Sequence, residues 1–293
     1  MMAPLRLPTS VLLGLIASLL LVSLTHGEED ASTVTDASPS QRLLRYQFHP
    51  GETVSAQVTH RAVTETTVNG TTQSVETSTD SVKSWKVTAV AADGTTTIEH
   101  SVDDVTMTSR TSGHDTVRWE SDSNAPAPAG YEGVRLSLGR PLSTLTLDAC
   151  GRVLKRRNLF PSPPSNTGDL MVVPLPDESV AAGSTWTVSE EIVVEIPGGP
   201  RKAIRTRLRY RVASIHDDVA FIDVDTTVLT PIDDPRIESR LLERIWDGRI
   251  EFDISQGCVL RRETSVDRRV VGFHGPSSSI RYKASREEAV ITR

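Results

Sequence analysis

The chain has 293 residues, 37% of them hydrophobic and 4% aromatic, with 32 Lys and Arg against 38 Asp and Glu for a formal charge of −6. That apolar content supports a core and argues against global disorder, while the negative balance gives no general footprint for nucleic acid. Two cysteines cannot by themselves form a disulfide framework or a structural zinc site.

Thr contributes 32 residues and Val 31, so β-branched types are abundant. Branching at Cβ restricts side-chain rotation in a helix and packs well on a pleated surface, which favours strands. Residues 1–27 have the pattern of a secretory signal peptide. Arg6 supplies the positive start, residues 11–22 are apolar, and Thr25 and Gly27 are small enough to precede a cut at Glu28. A helix of that apolar length spans about 18 Å against about 30 Å of hydrocarbon core, so cleavage is expected and an uncleaved anchor is the alternative. No other apolar run is long enough to span, so the expected product is exported, periplasmic or extracellular, with no transmembrane segment. Residues 28–41 are Ser, Thr, Asp and Ala with little to bury, and read as a flexible tail.

Residues 42–157 read as a first β-rich unit. Val54, Ala56 and Val58 alternate with polar residues, and Asn69-Gly70 suits a type I′ hairpin turn. Trp85, Val87 and Ala89 form another period-2 set ended by Asp93-Gly94, and Ile98, His100 and Val102 the next. A short helix is expected over 131–138. Residues 158–170 are a Pro-rich linker. Residues 171–293 read as a second, related β-rich unit. Gly183 to Val188 resembles the start of the first, and Leu208, Tyr210 and Val212 match Trp85, Val87 and Ala89. Ala220, Ile222 and Val224 follow the turn pair Asp217-Asp218. Asp234 can cap a helix starting at Pro235, with Ile237, Leu241 and Ile245 on one face and a stop at Asp247-Gly248. Residues 145–154 and 250–260 are alike: each is a strand, an Asp, a Gly-containing turn and a second strand. The expected fold is therefore mainly β, antiparallel, in two consecutive related units with one short helix each. The units could be separate lobes or one curved sheet.

Four segments resemble a family of uncharacterised exported β-rich bacterial proteins, a domain of unknown function found mainly in planctomycete-type bacteria. They are Tyr46 to Thr53, Asn69 to Gln73, Pro174 to Pro176 with Gly183 to Trp186, and Arg269 to Phe273. The resemblance implies an exported bacterial β-rich protein and brings no activity, cofactor or catalytic residue. A bacterial origin would leave the Asn69-Gly70-Thr71 sequon with a turn role alone.

No catalytic motif emerges. There is no Gly-x-Ser-x-Gly elbow, no Ser-x-x-Lys, no His-x-x-x-His and no Cys-x-x-Cys, and no metal or cofactor is assigned. His60 and His100 each fall in the apolar phase of a strand and could meet if those strands paired; separate half-buried imidazoles are the plainer expectation. The Asp pairs at 103–104, 217–218 and 233–234 read as turn formers. Cys150 and Cys258 lie in the matching turns, where an exported protein permits a disulfide, with two free thiols the alternative.

One feature rises above background. Arg205, Arg207, Arg209 and Arg211 alternate with Thr206, Leu208 and Tyr210, so a strand aligns four guanidinium groups on one face. Arg236, Arg240 and Arg244 repeat every four residues on the expected helix. Charge is also divided: residues 28–199 carry 13 basic and 23 acidic side chains, residues 200–293 carry 18 and 15. Either carboxylates on neighbouring strands answer the arginines, or they meet an anionic cell-envelope polymer or lipid. The function read from the chain is a non-enzymatic binding or structural protein of the cell envelope. A carrier that encloses an apolar ligand under a curved sheet is the alternative, and a hydrolase the third.

Overall fold

A computed structural model of the chain describes residues 41–160, 172–195 and 201–293. The signal segment, the tail up to residue 40 and most of the Pro-rich linker lie outside the described residues.

The elements in chain order are β1 (Thr53–Val68), β2 (Thr71–Val90), β3 (Thr96–Thr111), β4 (Val117–Glu120), helix α1 (Glu132–Ser137), β5 (Ser143–Leu147) and β6 (Val153–Asn158). Then come β7 (Thr185–Glu195), β8 (Arg201–His216), β9 (Val219–Val228), α2 (Pro235–Ser239), a 3-10 turn (Leu242–Arg244), β10 (Asp247–Asp253), β11 (Cys258–Val271) and β12 (Ser278–Thr292). The protein is mainly β and antiparallel. All twelve strands join one sheet, in the order β6-β5-β3-β2-β1-β12-β11-β10-β9-β8-β7, with β4 branching from β3. The joint between the two halves of the chain is the pairing of β1 with β12, which runs as far as Val68 opposite Ser278. Of the two arrangements left open by the sequence, one continuous sheet is the one formed.

Local chemistry accounts for the turns. Asn69 and Gly70, at φ 49° and 83°, make the tight link that sets Val68 opposite Thr71. Asp217 and Asp218, at φ 48° and 62°, do the same between β8 and β9. Both Asp and Asn tolerate this left-handed region because their short polar side chains bond locally.

Along β1 the even residues Val54, Ala56 and Val58 are buried while Thr53 and Gln57 are exposed, so the sheet has one buried face and one solvated face. Three apolar clusters line the buried face. The largest gathers Leu44, Tyr46, Trp85, Ile98, Leu145 and Phe252 with others. A second joins Ala62, Leu242, Val266, Val270 and Tyr282. A third joins Ile192, Ile204, Ile237, Leu241 and Ile245. Burying one such large side chain contributes about 1.5–3 kcal/mol.

The largest cluster is closed by two non-strand segments. Arg42 bridges to Val180, the Tyr46 N–H donates to the Ala149 carbonyl at 3.1 Å, and the Gln47 N–H donates to the Gly257 carbonyl at 3.1 Å. Residues 42–48 thus run between the two matching turns. Each turn is tied by its aspartate: Asp148 accepts from the N–H of Cys150 at 2.9 Å, and Asp253 from that of Gln256 at 2.8 Å. Both turns need glycine for the same reason. A Cβ on Gly151 would stand 2.4 Å from the Tyr46 ring, and one on Gly257 would stand 2.6 Å from the Arg45 carbonyl oxygen.

Helix α1 covers most of the expected 131–138 span but buries no side chain. Helix α2 begins as expected, with the Asp234 carboxylate accepting from the Arg236 N–H and Pro235 in the first turn. It ends at Ser239, well short of the expected stop, and Asp247-Gly248 opens β10 instead. Packing explains the break. Ile237, Leu241 and Ile245 enter one cluster and Leu242 the other, so the chain splays between two cores and a continuous helix is lost.

Candidate functional site

The strand period places Arg205, Arg207, Arg209 and Arg211 on the solvated face of β8, and all four are exposed. The neighbouring strand answers half of them. On β9, Ile222 and Val224 point into the core while Asp223 and Asp225 face outward. Arg209 binds Asp225 at 2.9 Å and Arg211 binds Asp223 at 2.7 Å. Asp223 also takes Arg249 of β10 at 2.9 Å. These hydrogen bonds and charges outweigh its partial desolvation and hold the Asp223 carboxyl below the usual carboxylate range. Arg207 is different: its cross-strand neighbours are the hydroxyl residues Ser189 and Thr227. Arg205 stands opposite Glu191 in register. Among the described residues neither Arg205 nor Arg207 forms an ion pair.

The second set of arginines is not brought into one stripe. Arg236 lies on α2 and binds Asp234 at 2.7 Å, Arg240 is the exposed residue that ends the helix, and Arg244 is half-buried on the 3-10 turn. The spacing expectation fails with the helix that carried it.

Elsewhere the solvated face is a mixed-charge lattice. Arg281 pairs with Asp267 at 2.8 Å, and Arg261 with Glu287 at 2.6 Å. A groove of 520 Å³ on this face is lined by Arg61, Glu76, Asp267 and Lys283 together with Val63, Val266 and Ala284.

The buried face holds a group that sequence reasoning missed. Glu288 of β12 is 0% exposed; it accepts a hydrogen bond from Arg286 at 2.5 Å and forms an ion pair with Arg262 of β11 at 2.5 Å. It sits in the phase of Tyr282, Ala284 and Val290, and a charged residue in that phase was the available signal. Its level of the sheet lies between the largest cluster and the second, across from Val58 and Ser81. His60, one step further along β1, is pushed down in pKa by burial and then by the charges of Arg286 and Lys83. Glu190 of β7, also in the inward phase, is pushed up by burial alone. Tyr46 and Tyr210 are both driven above the ordinary tyrosine range, chiefly by burial. Glu288 with Arg262 and Arg286 thus forms a largely buried charged belt between the largest cluster and the second.

His60 and His100 do not meet. β2 lies between their strands, with His60 opposite Thr79 and His100 opposite Trp85. His100 stacks on Trp85 at 5.5 Å between ring centres, and His60 lies 6.0 Å from the ring of Trp246. Among the described residues no group of three or more His, Cys, Asp or Glu could hold a metal ion. Cys150 and Cys258 are buried free thiols, so the disulfide allowed by their matching turns is not formed. Their surroundings differ. Cys150 Sγ lies 3.5 Å from an Asp177 carboxylate oxygen, whereas Cys258 is influenced by Arg293. Burial is the main cause that raises both thiols above their ordinary pKa.

No helix among the described residues is long and apolar enough to cross a membrane. The fold and surface define a mainly β, antiparallel single-sheet protein with one polar face. The chain matches no family model and no curated protein sequence. Among solved structures it is similar to lipovitellin, from a study of its lipid–protein interactions, at 12% identity and a TM-score of 0.37 over 83% of this chain and 25% of that one. It is also similar to DynF from the dynemicin biosynthesis pathway of Micromonospora chersina, at 7% identity and a TM-score of 0.23 over 88% of this chain and 92% of that one. The chain spans about a quarter of the lipovitellin chain. Likenesses this distant assign no function.

Proposed function

We propose that this is an exported, non-enzymatic binding protein of the bacterial cell envelope that meets an anionic partner with the arginine row of β8. The observation that carries the reading is the unequal treatment of the row. Arg209 and Arg211 are neutralised by Asp225 and Asp223. Arg207 has only hydroxyl residues beside it, and Arg205 is unpaired among the described residues. Exposed guanidinium groups with no internal partner are ready to take a carboxylate, sulfate or phosphate through paired hydrogen bonds.

Retention on a sulfated matrix tests the reading. Wild type is expected to elute at higher salt than an Arg205→Glu, Arg207→Glu variant, with a smaller change for Arg209→Ala, Arg211→Ala. Equal elution of wild type and the first variant would end it.

A second reading, a carrier of an apolar ligand, needs space. The apolar gap beside Tyr46, Trp85 and Val259 measures only 30 Å³, against about 300–1,000 Å³ for ligand sites in general. A groove of 490 Å³ beside α2 is of that size.

A further inference from the structure

We infer that the protein assembles head to tail with further copies of itself, the basic edge strand β6 of one copy pairing with the acidic edge strand β7 of the next. This does not rest on the arginine row. β6 and β7 end the sheet on its two sides, and among the described residues each has a strand neighbour on one edge only, β5 and β8. A free edge presents a row of backbone N–H and C=O groups able to pair with another strand. β6 is exposed along its whole length, with Val153 46% and Leu154 59% exposed, and Val193 of β7 is 55% exposed.

Charge selects the pairing. β6 carries Lys155, Arg156 and Arg157, and β7 carries Glu190, Glu191 and Glu195. Inside the sheet, opposite charges meet on neighbouring strands, as Arg209 meets Asp225 and Arg281 meets Asp267. At the two edges they do not: among the described residues Lys155, Arg157, Glu190 and Glu191 form no ion pair. Glu190 is half-buried, and burial alone pushes its carboxyl up in pKa, so a cation delivered by a second copy offsets that desolvation. Charge on an edge strand ordinarily keeps other chains away. Here the edges differ in sign: full overlap of two β6 strands, or of two β7 strands, sets like charges together, and only unlike edges match. Neighbours alternate in direction along the sheet, so β6 and β7 run the same way. A second copy can add with the same face up and the two strands parallel, or turned over and antiparallel. In both, Arg156-Arg157 can stand opposite Glu190-Glu191. Because the two patches differ, each copy keeps a free edge for the next, and the contact builds rows or closed rings.

Sedimentation velocity of the purified protein at low salt, over a range of concentrations, tests the inference with two charge-reversal variants: Lys155→Glu, Arg157→Glu, and Glu190→Lys, Glu191→Lys. Wild type is expected to grow beyond the monomer as concentration rises, and to return toward it at high salt. Each variant alone is expected to associate at least about tenfold more weakly than wild type, because its two edges then carry the same sign. An equimolar mixture of the two variants is expected to recover association, since each offers the edge that the other needs. Lys155→Ala, Arg157→Ala, which removes charge from an exposed edge without reversing it, is expected to fall between wild type and the reversal variants. A wild type that stays monomeric at every concentration, reversal variants that associate as wild type does, or a mixture that associates no better than its components would each overturn it.

Discussion

At the scale of single residues, burial decides what an atom is worth. The Tyr46 hydroxyl accepts from the Val173 N–H at 2.7 Å and faces the Val173 carbonyl at 3.1 Å, deep in the largest cluster. Tyr46→Phe therefore leaves a buried backbone N–H without its acceptor, an expected cost of about 1–3 kcal/mol in urea unfolding. Gly151 offers a sharper comparison. Gly151 and Gly130 both sit at positive φ, 77° and 90°, but only Gly151 has neighbours where a Cβ would go. Gly130→Ala is expected to show backbone strain of about 1–2 kcal/mol. Gly151→Ala is expected to lose a further 1–3 kcal/mol or so from overpacking against Tyr46. Equal losses would mean that residues 42–48 do not press on this turn. His60 supplies the pH dependence. Its folded pKa is lowered, so the unfolded chain binds the proton first as pH falls. Stability should decline as pH drops from the ordinary imidazole range toward the lowered value, and His60→Gln should flatten that part of a thermal-midpoint profile.

At the scale of elements, ion pairs differ by their surroundings. Glu288 is fully buried between Arg262 and Arg286, and Glu288→Gln leaves two desolvated cations with a weaker partner. The expected loss is about 3–5 kcal/mol. The exposed Arg209–Asp225 pair is worth about 0–1 kcal/mol by the same measurement. Similar losses for the two would show that the belt is wetter than its burial indicates. Much at this scale was legible in the sequence. Period-2 alternation, Asn69-Gly70 and the Asp234-Pro235 start each rest on local chemistry, and each appears in the structure. The full length of α2 was not legible, because the choice between two apolar clusters is made by strands far away in the chain. Glu288 was hidden for a related reason. Arg286-Glu287-Glu288 reads as a solvated charge run until pairing with β1 and β11 turns alternate members inward. Its phase with Ala284 was the single local hint.

At the scale of the whole molecule, the two halves of the chain share one sheet, so their charge imbalance is an arrangement on one surface. The solvated face balances most of its own charge through cross-strand pairs, and Arg205 and Arg207 stand outside that balance. If they meet a polyanion, binding releases counterions and weakens steeply with salt. The direct test is the dissociation constant for dextran sulfate, measured at several salt concentrations for wild type and for Arg205→Glu, Arg207→Glu. The expected result is a steep loss of wild-type affinity as salt rises, with the variant weaker at every salt and less dependent on it. Superimposable curves for the two proteins would contradict the account.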